Sequence, residues 1–433
     1  MNLRQITSTI LLLVLTSTTA SAQFSFGNYA LQNVNIIDVN SNNVLYDYTI
    51  LINNDKISDI LPSKNYIAND TVQSIILKGK YVVPGLIDAH VHFATDPTEE
   101  RRDNAEKVLK EMLLTGITSV RDMAGDARAL ASLSRNTLVG DILGPNIYYS
   151  SLMAGSKFFA DPRTIASVQG GISGKMPYMK AIDDNSNMVI EVAQAKGTGA
   201  SGIKMYADLS KEQVLNIVTE AKKQGIPVWS HGSLTSAKPS SVIASGVISI
   251  SHSYMLFHEF YEGNDKVPES WTSEAALTVS ANFWNTEYAK HNFDELFQSM
   301  MKNDVLLDAT ISVFEMLKEN KNHRWKYEMT KRITKDAKIK GVKVAAGSDS
   351  GQETFVQHEM KLLVNECGFS PLEAIIAATK FSAMALGILE REGTIEVGKK
   401  ANLLFLNSNP IENIEYIDDI FLVVKNGKLY NKK

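Results

Sequence analysis

A (β/α)8 barrel joined to a small β-sandwich made from both ends of the chain is the fold class that this 433-residue sequence predicts. Two observations lead to it. Between about residues 86 and 390, eight short apolar runs alternate with amphipathic stretches, as repeated strand–helix units would. On either side the chain changes style, to short runs that alternate apolar and polar residues and are punctuated by Asn, Asp and Gly. An open doubly wound sheet is the competing architecture, but no glycine-rich phosphate turn follows an early strand.

The elements follow in order. Residues 1–22 have a basic start at Arg4, an apolar centre from Ile10 to Leu15 and the small-residue end Ala20-Ser21-Ala22. That is the pattern of a cleaved secretory signal, too short in its apolar part to span a bilayer comfortably, so export to a periplasm or beyond is expected, with no membrane anchor after cleavage; an uncleaved anchor is the competing reading. Residues 23–85 supply the first part of the β-sandwich, in "YALQNVNIID", "YTILINNDKISDI" and "SIILKGKYVV"; residues 391–433 supply the second, with "ANLLFLN" and "IFLVVKNGKLYN", where Asn426-Gly427 marks a hairpin turn. Residues 86–390 form the barrel, whose strands read "VVPGLIDAHVH", "ITSVRDM", "NIYYSS", "GIKMYA", "IPVWSH", "VISISHS", "VLLDATIS" and "VKVAAGSDS". Among the intervening helices, "SKEQVLNIVTEAKKQG" shows the pattern well: Ser210 can cap it, Val214, Ile217, Val218 and Ala221 line one face, and Gly225 can end it.

Composition narrows the chemistry. A formal charge of −4 without a basic block argues against a nucleic-acid partner and leaves a small-molecule substrate, in a monomer or a homo-oligomer. Cys367 is the only cysteine, so neither an intramolecular disulfide nor a cysteine zinc site can form. Any metal must be held by His, Asp, Glu or a modified side chain.

Barrels place their function at the C-terminal ends of the strands. The first strand ends in His90 and His92, which project to the same side because strand residues i and i+2 share a face, and two such imidazoles can share one ion. Lys204 lies on the fourth strand, His231 ends the fifth, His252 the sixth and Asp349 the eighth. A single strand-end histidine is ordinarily structural; four of them with an acid at equivalent ends predict a metal site. Tyr206 faces the same way as Lys204 and is a candidate for binding substrate, with packing as the competing role. Arg121-Asp122, at the end of the second strand, is expected to be a structural pair beneath the site. His258, His291, His323 and His358 lack strand-end context.

The motifs "VVPGLIDAHVH", "TGITSVRDMAG", "GIKMY", "VWSH", "AAGSDS" and "GFSPLEAIIAATKFSAMALGILEREGTIEVGKKANLLFLNSNP" span nearly the whole chain beyond the signal. On them the sequence resembles the amidohydrolase superfamily, in its branch of imidazolonepropionase- and Xaa-Pro-dipeptidase-like enzymes. The resemblance implies one or two divalent ions, zinc first. It puts His90, His92 and Asp349 around the more buried ion and His231 and His252 around the more exposed one. It makes Lys204 a bridging ligand carboxylated by carbon dioxide. The competing role for Lys204 is a cation that orients a substrate carboxylate beside a single metal.

The implied reaction is hydrolysis of a C–N bond, in a dipeptide or an N-acyl amino acid, by a metal-activated hydroxide, with Asp349 as base and then acid. A lactonase or esterase on the same site is the alternative, and a non-catalytic binding protein the third reading. The sequence departs from its relatives near the pocket. Ala154-Gly155-Ser156 stands where many members carry Gly-Gly-His, and an aromatic-rich connection follows His252, expected to be a lid or binding element.

Overall fold

The run Leu86–Val91 is buried at every position, which suits a parallel strand covered on both faces. A computed structural model describes residues 27–260, 291–321, 323–350 and 355–431. Within them the chain forms a (β/α)8 barrel and a separate eight-stranded sheet drawn from both termini.

The terminal sheet comprises β1 (Asn28–Asp38), β2 (Asn43–Asn53), β3 (Lys56–Pro62), β4 (Gln73–Ile76) and β5 (Tyr81–Pro84), completed by β16 (Leu403–Leu406), β17 (Ile420–Lys425) and β18 (Lys428–Tyr430). β16 pairs antiparallel with β5, so the two ends of the chain meet in one sheet. The β17–β18 hairpin turns at Asn426 and Gly427, both at positive φ, as a primed two-residue turn requires.

β5 passes into the barrel through Gly85 alone. A Cβ there would lie 2.3 Å from the Thr118 hydroxyl, so only glycine lets the chain cross that close to its neighbour. The barrel strands are β6 (Leu86–Val91), β7 (Ile117–Asp122), β8 (Asn146–Gly155), β11 (Gly202–Met205), β12 (Val228–His231), β13 (Ser249–Ser251), β14 (Leu306–Asp308) and β15 (Val344–Ala345). Each pairs in parallel with the next, and the ring closes through Ala89 N–H to Ala346 O (3.0 Å) and Asp349 N–H to His90 O (2.8 Å). Because all eight are parallel, their C-terminal ends open on one face, and that gathers the residues expected there.

Two local features bear on the site. β8 runs four residues beyond the expected "NIYYSS". β7 pairs with it through Asn146–Tyr149, while the edge beyond is taken by the hairpin strand β10 (Met179–Ile182), itself paired with β9 (Lys175–Met176). The helix Lys211–Gln224 is capped by Ser210 in a reciprocal capping box with Gln213 and stops at Gly225, and it buries Val214, Ile217, Val218 and Ala221 against the barrel. Among the described residues no helix is long and apolar enough to cross a membrane. The expected signal, residues 1–22, lies outside them, as do residues 261–290 of the aromatic connection.

Candidate metal centre

At the C-terminal mouth, His90 and His92 project from the end of β6 toward Asp349. His90 Nε2 lies 3.4 Å and His92 Nε2 3.2 Å from Asp349 Oδ1, and one ligand atom from each of the three falls within 4.8 Å of the others. Opposite them His231, the last residue of β12, and His252, just past β13, bring their Nε2 atoms to 3.2 Å. The two groups are neighbours, with the His90 and His252 rings 5.1 Å apart and Asp349 Oδ2 3.7 Å from His252 Nδ1.

The donor chemistry fits divalent ions. Two nitrogens at about 2.0–2.1 Å from one tetrahedral ion sit about 3.3 Å apart, close to the 3.2 Å between His231 and His252. Burial drives His231 well below its usual pKa, helped by Lys204 and His252. Burial likewise brings His252 to about 3, against the pull of Asp349. Both rings are therefore neutral, with lone pairs available. Burial would raise Asp349, but His90, His92 and His252 outweigh it and hold the carboxylate ionised.

Lys204 is fully buried on β11, its Nζ 3.1 Å from Ser251 Oγ. Burial lowers its amine to about 7, with Arg121 adding to the shift and Asp308 and Asp349 opposing it. The Tyr206 ring lies 4.0 Å from that of His231, tilted against it, and stacks on Phe158 at 4.4 Å. The Arg163 guanidinium, paired with Asp161 at 2.6 Å, lies 6.0 Å from the same ring. Burial raises the Tyr206 hydroxyl, which keeps it protonated as a donor at neutral pH. Six residues expected at the site, His90, His92, Lys204, His231, His252 and Asp349, thus meet at one mouth, with Tyr206 on its wall.

The backbone at this mouth is unusual. His252, Thr310 and Asp349 have φ of 71°, 54° and 50°, in the left-handed region that costs a non-glycine residue about 1–3 kcal/mol. Hydrogen bonds hold the turns in place. The Asp88 carboxylate accepts from Ser348 N–H (2.9 Å) and Ser348 Oγ (2.6 Å), and so fastens the segment carrying Asp349 to the strand carrying His90.

One expectation changes. Arg121 and Asp122 do not pair, because adjacent strand residues face opposite ways. Arg121 instead reaches into the barrel, stacks over Trp229 at 4.9 Å and meets Asp308 Oδ2 at 3.1 Å; Asp122 accepts from Phe93 N–H and Ala124 N–H. Exposure at the mouth is uneven: His92, its side chain 31 % exposed, is the most accessible of the four site histidines, while His90, His231 and His252 are buried. Of the other histidines, His358 pairs with Glu315 at 2.5 Å.

Asp308 and Thr310 were not anticipated. Asp308 ends β14 fully buried, and its Oδ2 accepts from His90 Nδ1 (2.8 Å), Arg121 and Ser251 Oγ (3.0 Å). Thr310 Oγ1 lies 2.9 Å from His252 Nδ1. The signal was present: in "VLLDATIS" an acid ends an apolar strand just as the histidines do.

The sequence model of the amidohydrolase family matches residues 81–430. The ochratoxinase of Aspergillus niger is 26% identical over 382 residues, which cover 81% of this chain and 75% of that protein. The imidazolonepropionase of Pseudomonas fluorescens is 23% identical over 380 residues, 79% of this chain and 82% of the relative. A solved Xaa-Pro dipeptidase with methionine bound in its active site has the same fold. Its TM-score is 0.73 at 24% identity, over 94% of this chain and 100% of that one.

Proposed function

The chain belongs to the amidohydrolase family, and on that premise we propose that it hydrolyses the amide bond of a small acylated amine, a dipeptide or an N-acyl amino acid, with two zinc ions held at the strand ends. The observation that carries this is the pairing of donors: His90 and His92 with Asp349, and His231 with His252, at the spacing two ligands of one ion need. Such ions supply Lewis acidity toward a carbonyl and make hydroxide available near neutral pH. The all-nitrogen-and-oxygen donor set, rich in imidazole, suits zinc.

The chain's own groups do the rest. Asp349, ionised between the two histidine groups, can take the proton of the attacking water and return it to the leaving nitrogen. That return favours amides, whose nitrogen leaves poorly unless protonated. Lys204, with its amine lowered to about 7, is partly unprotonated at neutral pH, the form that adds to carbon dioxide; the resulting carbamate would offer an oxygen to each ion, which a bare ammonium cannot do. Tyr206 presents a donor beside His231 for a substrate oxygen. The relatives named above as ochratoxinase and Xaa-Pro dipeptidase support a C–N substrate. The basic–apolar–small pattern of residues 1–22 supports export.

The test is elemental analysis of the purified protein followed by hydrolysis assays of the zinc-loaded form on dipeptides, N-acyl amino acids and lactones. Two ions per chain with amine release are expected. Turnover confined to lactones would replace the amide reading, and a protein that binds no divalent ion would overturn it.

A further inference from the structure

β14 supplies no candidate ligand, yet its exit touches both groups of ligands. Asp308, its last residue, meets Nδ1 of His90, and Thr310, two residues on, meets Nδ1 of His252. We infer that this segment is the positioning element of the centre: Asp308 and Thr310 hold His90 and His252 by their Nδ1 sides, so that each Nε2 is turned into the mouth, that of His90 unprotonated. The inference rests on the metal reading above and adds residues that are not themselves ligands.

The chemistry follows from the partners. An ionised carboxylate only accepts, so the proton shared with Asp308 must sit on His90 Nδ1, which leaves Nε2 with its lone pair. Arg121 supplies the positive charge that keeps Asp308 in that state, and Ser251 links the same oxygen to Lys204. The fit is close: a Cβ on Gly347 would lie 2.4 Å from Asp308 Oδ1 and 2.7 Å from His90 Cβ, so the glycine of "AAGSDS" permits the approach.

Thr310 is placed by its backbone. A β-branched residue at φ 54° and ψ 48° is an outlier, sustained only where its surroundings over-determine it. Those surroundings are visible. Glu359 accepts from Ile311 N–H (2.8 Å) and from Ser312 N–H (2.7 Å) and Oγ (2.8 Å), and Ser312 Oγ also reaches Ser348 O (3.0 Å). The clamp fixes the turn immediately after Thr310 and leaves its hydroxyl aimed at His252.

The experiment uses the full-length protein, with zinc affinity read by chelator competition and the two sites separated by ¹¹³Cd resonances. Thr310→Val keeps the β-branched shape and removes the hydroxyl. It should weaken the ion at His231 and His252 by about 10- to 100-fold, as loss of a partner behind a ligand typically does, and shift that cadmium resonance alone. Thr310→Ser should restore both. For the other half, the double variant Arg121→Met/Asp308→Leu removes both buried charges together and so avoids stranding one. It should weaken the ion at His90, His92 and Asp349 and move the His90 ring away from the Nδ1–H form in long-range ¹H–¹⁵N spectra. Affinities within about twofold of the parent, in a parent that binds zinc, would overturn the inference while leaving the metal reading intact. Equal losses in Thr310→Val and Thr310→Ser would overturn the role of the hydroxyl. A parent that binds no zinc or cadmium would overturn both readings together.

Discussion

Lys204 and Lys425 are both buried, and burial pushes both amines down to about 7. They sit in different regions. Lys204 lies on β11, toward the mouth where the histidines gather. Lys425 ends β17, at the seam between the terminal sheet and the barrel, and donates to Thr137 O (2.8 Å) and Gly144 O (2.6 Å). Beside it Asn426 and Asn402 continue the seam with Asn146 and Glu392. Two carbonyl oxygens suit an amine that donates to both and leave it nothing to do but hold two layers together. Lys204 has one hydroxyl as its partner, and the carbamate proposed above would form there. Perturbed acidity marks both sites, and only the partners tell them apart.

Asp349→Asn is the sharpest way to test the mouth. The amide cannot take a proton from water, so turnover per bound metal should fall by about 10²- to 10⁴-fold at saturating zinc. Near-normal turnover would mean that Asp349 acts only as a ligand. Next in size, Lys204→Met should lower metal content and activity together while leaving the fold intact, since a buried amine is exchanged for an apolar chain of similar length. Two ions at full occupancy in that variant would remove the bridging role.

The matching change at the seam should behave in the opposite way. Lys425→Met ought to leave metal content and turnover at parent values. By stranding two carbonyls it should cost about 1–3 kcal/mol per unsatisfied group in denaturant unfolding. A loss of zinc there would break the contrast between the two regions.

The smallest effect is a slope. Between about pH 7 and pH 10.5 the unfolded Lys425 is protonated and the folded one is not, so the unfolded state binds more protons and this lysine makes stability rise with pH. Stability measured from pH 7 to pH 10 should therefore climb more steeply in the parent than in Lys425→Met. Parallel curves would show that the two carbonyls keep the ammonium charged.

How legible all this was depends on range along the chain. The eight barrel strands, the Ser210 cap and the Asn426-Gly427 turn follow from local patterns of period, cap and turn residue, and the structure has each of them. The six groups at the mouth were readable by a single rule, that parallel strands end on one face, combined with unusual residues at those ends. Arg121-Asp122 failed because two neighbours in sequence were treated as neighbours in space. The hairpin β9–β10 was missed because two- and four-residue strands leave almost no periodic signal.

The sequence by itself determined the order of the strands, the face on which they open and the kinds of atom that meet there, because alternation and strand ends are properties of neighbouring residues. Only the tertiary structure decided which atom faces which. Asp308 reaches His90 across 218 positions, Thr310 reaches His252 across 58, and Lys425 finds its carbonyls across 288 and 281. Such partners are set by how barrel and sheet close. A buried polar group must be satisfied by whatever the closed chain brings within about 3 Å, and nothing in its own neighbourhood of sequence specifies what that will be.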